Sequence, residues 1–192
     1  LYRRITVSVN RYYLKIVVVV ITITLMCVMF VPFFASALSN GVYLADNKSH
    51  YSHPKTGVIE DSGGEHSYAL GQSMTESAVY SKALVEVDGN GDIFVTVRIQ
   101  MQDNCKDASF TVDGNPTSVS LMKEDNVKHT ADWRIKVPSV DSIIRAKMYV
   151  IPMGRTVIWY MTVSNFIEGR GNFEVSIKMP KNKPIPKVEE PV

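Results

Sequence analysis

The chain has 192 residues, of which 45% are hydrophobic and 21% are charged. These fractions are typical of a globular protein and exclude a disordered or low-complexity chain. The formal net charge is +2, but four of the 21 basic residues and none of the 19 acidic residues lie before residue 38. The remainder is therefore slightly acidic, which removes the electrostatic basis for nucleic-acid binding.

The first 37 residues have the pattern of a secretory signal peptide. Ile16–Val31 is apolar and uncharged, follows a basic segment and precedes the A-x-A cleavage site Ala35-Ser36-Ala37. An uncleaved membrane anchor is the alternative, but the run is shorter than the ~20 residues that a span requires. We therefore predict a signal peptide over residues 1–37, an extracellular or cell-surface location, and one domain over residues 38–180.

Short strands separated by turns dominate this domain. Alternation of apolar and polar residues predicts strands over eight segments: 82–87, 93–101, 108–112, 117–122, 133–137, 143–151, 156–164 and 172–179. The turn sequence DGNGD joins the first two as a hairpin, and the residues PMGR at 152–155 form the tip of a second. With little helical periodicity, the pattern predicts an all-β, immunoglobulin-like sandwich.

One segment breaks the β pattern. Ser73-x-x-Glu76 has the form of a capping box, which predicts one short helix over residues 74–80 with Met74 at its first position. Before it, residues 51–67 are rich in turn formers and predict a long loop. Long ordered loops in compact domains are commonly functional.

The histidines and cysteines offer weak indications of a metal site. His50, His53 and His66 could bind zinc or copper, but their spacing matches no known site, and loop histidines are more often solvated. Cys27 lies in the apolar run, and Cys105 lies in a polar stretch where we expect an exposed loop residue. No catalytic constellation of a hydrolase is found in the sequence, so we do not expect an enzyme.

Two methionines lie where core residues are unusual. Met153 occupies the tip of the second predicted hairpin, and Met74 occupies the first turn of the predicted helix. A thioether is soft and neutral, and it suits Cu(I) or haem iron. Copper would need more than these two ligands, whereas haem (iron protoporphyrin IX) takes one axial ligand on each face. Ordinary packing or a Met-rich interface is the alternative.

Several longer motifs resemble one protein family. The motifs YSHP at residues 51–54, GVIEDSGGEHS at 57–67, GQSM at 71–74, and SIIR and PMGR within 138–160 are similar to the streptococcal cell-surface haem-binding protein (Shp) family. The resemblance extends over about residues 41–180. It implies a fold related to NEAT-type haem-binding sandwiches, and it implies that two methionines, here Met74 and Met153, ligate the haem iron.

The resemblance also implies a relay, in which haem passes from a surface receptor to the haem-binding lipoprotein of an ABC importer. We expect Trp159 to stack on the porphyrin, and the helix start near Ser73 or the side chain of Arg155 to attract the propionates. Because the family typically carries a C-terminal membrane anchor, residues 181–192, rich in proline and charge, are expected to be a linker to one. A cofactor-free, immunoglobulin-like surface adhesion domain is the competing hypothesis.

Overall fold

The computed structural model describes residues 13–19, 21, 38–178 and 185–188. The chain divides into two units, residues 1–37 and residues 38–192. In the first unit, residues 13–19 are helical with exposed side chains, and the expected cleavage site lies outside the described residues, so the signal peptide stays a prediction. No helix within the described ranges is long and apolar enough to cross a membrane.

The second unit is built almost wholly of strands. Its described part contains nine, numbered β1 to β9: Gly41–His50, Val79–Val87, Ile93–Ile99, Cys105–Val112, Asn115–Pro116, Val119–Asp125, Thr130–Val137, Ile144–Val150 and Arg155–Glu168. The helix α1 spans Tyr68–Ala78, and short 3₁₀ turns span Glu65–Ser67, Gln102–Asn104 and Ile151–Met153. The predicted all-β fold is confirmed.

The nine strands form one antiparallel sheet that folds over on itself. The strand order is β5-β4-β8-β9-β1-β2-β3-β7-β6. Five strands lie between β4, which carries Phe110, and β7, which carries Trp133, yet the centroids of these two rings are 5.6 Å apart. One hydrophobic cluster accordingly contains residues from seven of the strands. The two halves of the sheet therefore enclose one main core, in the manner of the predicted sandwich.

Both predicted hairpins are confirmed. Residues 88–92 join β2 to β3, and Asp88 Oδ1 accepts hydrogen bonds from two backbone N–H groups of that turn. Residues 151–154 join β8 to β9. Gly154 closes this second turn with a φ of 63°, a left-handed conformation that glycine adopts without strain.

The strand β1, between β9 and β2 at the centre of the sheet, is not predicted by the sequence pattern. Its residues Tyr43 and Ala45 face the main core, whereas Val42 and Leu44 face a second, smaller hydrophobic cluster. Since both of its faces are covered, the strand lacks the simple apolar–polar alternation of a half-buried strand. The sequence pattern therefore does not predict β1, because the outer face of this strand is also covered by apolar residues.

The predicted strand over residues 172–179 is wrong. Residues 172–178 carry no strand pairing, and Phe173 is buried in the second cluster with residues of β1 and β2. The backbone N–H groups of Ser176 and Ile177 donate to the buried carboxylate of Glu86, at 2.6 and 3.0 Å. The alternating apolar residues of this segment therefore pack against the face of the sheet, although the segment is not itself a strand.

Residues 185–188 are the described part of the expected linker over residues 181–192. Ile185 and Val188 pack against the second cluster. Arg170 N donates to Pro186 O at 3.2 Å. This short piece is therefore held on the domain, and a linker to an anchor stays a prediction.

The helix is displaced from its predicted range of 74–80. It begins at Tyr68, so Ser73 lies in its middle and does not cap its start. Glu76 Oε1 accepts a hydrogen bond from Gln72 Nε2 at 2.7 Å, a contact between neighbouring turns of one helix. The capping-box prediction is wrong because the polar residues of the motif lie along the helix rather than at its end.

Candidate functional site

An apolar cavity of about 430 Å³ lies between α1, the turn over residues 151–154 and the beginning of β4. This volume is within the range of about 300–1,000 Å³ that is typical of small-molecule sites. Met74 lines the cavity from α1, Met153 lines it from the turn, and Trp159 lines it from β9. The structure thus brings together the two methionines and the tryptophan singled out in the sequence.

Met74 and Met153 are more exposed to solvent than the methionines of β8 and β9. Met148 of β8 and Met161 of β9 are fully buried in the core, each with 0% exposure. Met74 is 37% exposed, and Met153 is half-buried at the end of its 3₁₀ turn. Both thioethers are therefore presented at the ends or surfaces of elements, where they can reach a bound group.

Trp159 belongs to the core and to the cavity wall at once. It is 3% exposed and packs with the main hydrophobic cluster. Its Nε1 atom finds no hydrogen-bond partner among the described residues. The Nε1 atom of Trp133, which does not line the cavity, is in the same state, so Trp159 presents its ring rather than its N–H group to the cavity.

The two residues predicted to attract propionates are placed differently. Ser73 lines the cavity but lies within α1, so the predicted anion site at a helix start near Ser73 is wrong. The Arg155 guanidinium donates through Nη1 to Asp61 Oδ1 and Oδ2, at 2.8 and 2.9 Å, and to Ser62 Oγ at 3.0 Å. Its charge is directed at the buried Asp61, so the contacts do not support a propionate role.

Hydrogen bonds hold Asp61 in its ionised form. Burial alone would raise the pKa of this carboxyl group, but hydrogen bonds from Arg155, Gly63, Tyr51 and Ile158 outweigh burial and lower the pKa. The carboxylate is therefore charged at neutral pH and neutralises the guanidinium beside it. This pairing was not predicted, because the two residues are 94 positions apart in the sequence.

Two further sulfur-bearing residues, Met101 and Cys105, line the cavity. Met101 lies just beyond β3 rather than inside a strand, with a left-handed φ of 54° and 45% exposure. Cys105 is the first residue of β4 and is half-buried, so the expectation of an exposed loop residue is wrong. Burial, followed by the charge of Asp103, raises the pKa of its thiol. The polar sequence around Cys105 gives no indication of a cavity wall.

The histidines do not form the metal site considered from the sequence. No group of three or more His, Cys, Asp or Glu side chains that could hold a metal ion occurs in the part of the chain that the structure describes. His50 Nε2 lies 2.9 Å from Thr162 Oγ1, and the His53 ring packs edge-on against Tyr160. The thioethers at the cavity are therefore the candidate ligands for a metal.

A family model described as cell surface heme-binding protein Shp matches residues 39–178. The chain belongs to this family. The match covers all nine strands and every site residue predicted from the sequence, and it confirms the resemblance drawn from the motifs. No curated protein matches the chain.

Among solved structures, the chain is similar to two structures of one NEAT domain. One is the NEAT5 domain of IsdX2, a B. anthracis hemophore, in complex with heme, with 15% sequence identity and a TM-score of 0.49. The other is a mutant of the IsdX2 NEAT5 domain in complex with heme, with 16% identity and the same TM-score. Each similarity covers 66% of this chain and 97% of the other chain.

The cofactor of the Shp family is haem, and the residues of the cavity fit it. The walls are mainly apolar, as a porphyrin ring requires, and they include the flat indole of Trp159. Met74 and Met153 offer soft, neutral sulfur ligands of the kind that haem iron accepts.

Proposed function

We propose that the chain binds haem in this cavity with Met74 and Met153 as the two axial ligands of the iron. The proposal is carried by one observation, which is that two displayed thioethers from different elements line the same apolar cavity. Bound haem would supply an iron with one axial position on each face of its ring. Trp159 offers an aromatic surface for stacking, worth about 0.5–1.5 kcal/mol beyond simple burial.

Thioether ligation suits a protein that gives its cargo away. A thioether is neutral and does not need to lose a proton before it binds a metal. It is also a weaker donor to ferric iron than a histidine or a tyrosinate, so a stronger ligand on an acceptor can replace one methionine at a time. The side chains of Met74 and Met153 would therefore hold the cargo without trapping it.

We further propose that the chain relays haem at the cell surface, from a surface receptor to the haem-binding lipoprotein of an ABC importer. The family consists of cell-surface haem-binding proteins, which supports this location. Met74 and Met101 both line the cavity and are 37% and 45% exposed, so an approaching partner can reach the cavity rim. In this role the cargo leaves chemically unchanged, and the protein is a carrier rather than an enzyme.

Absorption spectra of Met74→Ala and Met153→Ala, each loaded with haem, test the ligands. We expect each variant to lose the six-coordinate, low-spin spectrum of the unmodified chain. Met122→Ala is the matched control, since Met122 lies on β6 with its sulfur 3.9 Å from Ser176 Oγ. A wild-type spectrum in both ligand variants would contradict the ligand assignment. Failure of the unmodified chain to bind added haem would contradict haem binding and leave the adhesion hypothesis.

Rapid mixing tests the relay. Haem-free myoglobin, as a passive trap, measures the spontaneous release of haem from the loaded chain. We expect the importer's lipoprotein to take haem faster than this trap, with a rate that saturates as its concentration rises. Equal rates with the lipoprotein and with the trap would contradict direct transfer between the proteins.

A further inference from the structure

One buried carboxylate joins three separate parts of the chain beside the cavity. Asp61 lies in the long loop between β1 and α1 and is 3% exposed. Its Oδ1 accepts hydrogen bonds from Arg155 Nη1 (2.8 Å) and from Ile158 N (3.1 Å), both on β9. Its Oδ2 accepts from the Tyr51 hydroxyl (2.7 Å), from Gly63 N (2.9 Å) and from the same arginine nitrogen (2.9 Å). Oδ1 is therefore bound by β9 alone, whereas Oδ2 joins Tyr51, the loop and β9.

Tyr51 carries this connection to the helix. Its ring lies against Gly71, where an added Cβ would come within 2.5 Å of the ring atom Cε2. Gln72 holds the backbone at the same place, since its Oε1 accepts from Tyr51 N (2.8 Å) and its Nε2 donates to Ser49 O (3.0 Å). Gly71 and Gln72 precede Met74 within one turn of α1. The position of the Met74 turn thus depends on Tyr51.

Arg155 carries the connection to the turn that bears Met153. It is the first residue of β9 and is separated from Met153 only by Gly154. It pairs with Val150 across the hairpin, so its backbone is fixed at the base of the turn. Its Nη1 atom, bound to Asp61, anchors that base to the loop before α1.

We infer that Asp61 is a positioning residue that fixes the helical turn bearing Met74 relative to the hairpin turn bearing Met153. The inference rests on the proposed ligation by these two methionines. Two ligands that bind one iron together must be held at a fixed separation, and residues behind the ligands commonly provide such constraints. Asp61 acts on the two methionine-bearing turns through its hydrogen bonds with Tyr51 and Arg155.

The same network accounts physically for the motifs that resemble the Shp family. Four of the five motifs each supply one connection in the chain of contacts from one methionine to the other. The connecting residues are Tyr51 of YSHP, Asp61 of VIEDSGG, Gly71 of GQSM and Arg155 of PMGR. The two motifs that contain the methionines are therefore joined by two of the three that do not.

Asp61→Asn in the haem-loaded chain tests the inference. The amide keeps the size of the side chain but replaces one acceptor oxygen by an NH₂ group and removes the negative charge. Either Ile158 N, or the Tyr51 hydroxyl and Gly63 N, then lose their acceptor, and Arg155 Nη1 keeps only one of its two. We expect an absorption spectrum that mixes six-coordinate haem with haem of lower coordination. We also expect haem to dissociate at least about tenfold faster, the usual scale for loss of a group that supports metal ligands.

Asp132→Asn is the matched control. Asp132 is also buried, at 2% exposure, and is also bound by an arginine, with Arg98 Nε and Nη2 at 2.6 and 2.8 Å. This pair joins β7 to β3 rather than the two methionine-bearing elements. We expect Asp132→Asn to lower the unfolding temperature and to keep the wild-type haem spectrum and dissociation rate. Equal spectral changes in the two variants would overturn the inference, because general destabilisation would then explain both.

Tyr51→Phe provides a milder second variant, which decides the matter if Asp61→Asn does not fold. It keeps the ring against Gly71 and removes only the hydroxyl donor to Asp61, so we expect a smaller change in the same direction. A wild-type spectrum and dissociation rate in the folded variants would overturn the role of Asp61, even where Met74→Ala and Met153→Ala alter the spectrum. An unchanged spectrum in both methionine variants would instead overturn the proposed ligation, and the inference with it.

Discussion

The ring of Tyr51 lies directly against the α-carbon of Gly71. A Cβ added at Gly71 would be 2.5 Å from Cε2 of the ring and 2.6 Å from its Cδ2 and Cζ atoms. The ring is 1% exposed, and its hydroxyl is bound to Asp61, so it has little room to move aside. Glycine is therefore favoured at this helical position for steric reasons, although it is a poor helix former.

Gly71→Ala should accordingly destabilise the protein. In an exposed helix the same change would stabilise by about 1 kcal/mol, but overpacking at a closed contact costs about 1–3 kcal/mol. We also expect weaker haem binding, because the added methyl group displaces the helix that bears Met74. Denaturant unfolding of the haem-free protein and titration with haem measure the two effects.

Ser73→Ala is the control for this helix. Ser73 is exposed and lies in the middle of α1, so alanine should leave stability unchanged or raise it by about 0.5 kcal/mol. If Gly71→Ala instead raised the free energy of unfolding by about 1 kcal/mol, as in an exposed helix, the contact between Gly71 and the Tyr51 ring would not be tight.

Trp159→Phe should weaken haem binding, whereas Trp133→Phe should not. Both tryptophans have a buried Nε1 atom with no partner in the described structure, so each substitution removes the same kind of unsatisfied group. Only Trp159 lines the cavity, while Trp133 packs against Phe110. We expect a loss of about 1 kcal/mol, or roughly fivefold in affinity, for Trp159→Phe. Equal affinities of the two variants for haem would contradict the stacking role.

The sequence predicts the hairpins well because their information is local. The residues DGNGD and PMGR contain the turn formers that their own backbone conformations require, and Gly154 takes the left-handed conformation that such a turn needs. Met153 could be singled out for the same reason, since a thioether at a turn tip departs from the local rule. The cavity itself could not be predicted, because Cys105 and Met101 reach it from polar surroundings.

The failed predictions concern contacts between distant segments. β1 is covered on its outer face by Phe173, more than 120 positions away, so its own sequence does not show the usual alternation. Apolar and polar residues alternate over 172–178 as they would in a strand. The backbone N–H groups of Ser176 and Ile177 nevertheless donate to the Glu86 carboxylate and not to another strand. Arg155 has no local partner that would show it to be neutralised, and Asp61 binds it from 94 positions away. Such pairings are settled by tertiary packing, which local patterns do not encode.

Cys105 should react slowly with alkylating reagents. Burial, then the charge of Asp103, raises the pKa of its thiol, and the thiolate is the reactive form. Because Cys105 lines the cavity, we expect bound haem to slow the reaction further. Mass spectrometry after timed exposure to iodoacetamide measures both rates. Equal rates in haem-free and haem-loaded protein would contradict a cavity position, and Cys105→Ser should leave the haem spectrum unchanged because sulfur ligation is assigned to Met74 and Met153.

Tyr160 should make the stability of the haem-free protein depend on alkaline pH. Its hydroxyl donates to Glu60 Oε1. Burial, followed by the hydrogen bond and the negative charge of Glu60, raises the pKa of Tyr160 to about 12 from an ordinary value of 10.0. The unfolded chain ionises first as the pH rises. The stabilisation from the neutral hydroxyl is therefore complete below pH 10 and is lost as the pH rises through about 12.

Tyr160→Phe tests this linkage through the difference between two proteins. At neutral pH we expect the variant to be less stable by about 1–3 kcal/mol, because a hydrogen bond to a carboxylate is lost. A rise of two pKa units corresponds to about 2–3 kcal/mol of stability that the neutral hydroxyl supplies. The difference in unfolding free energy between the two proteins should therefore shrink above pH 10 and vanish near pH 12. Denaturant unfolding over a pH series measures it. Burial also raises the pKa of Tyr51 to about 12, but Tyr51 is present in both proteins and affects their stability equally. Parallel plots of unfolding free energy against pH for the two proteins would therefore contradict the role of Tyr160.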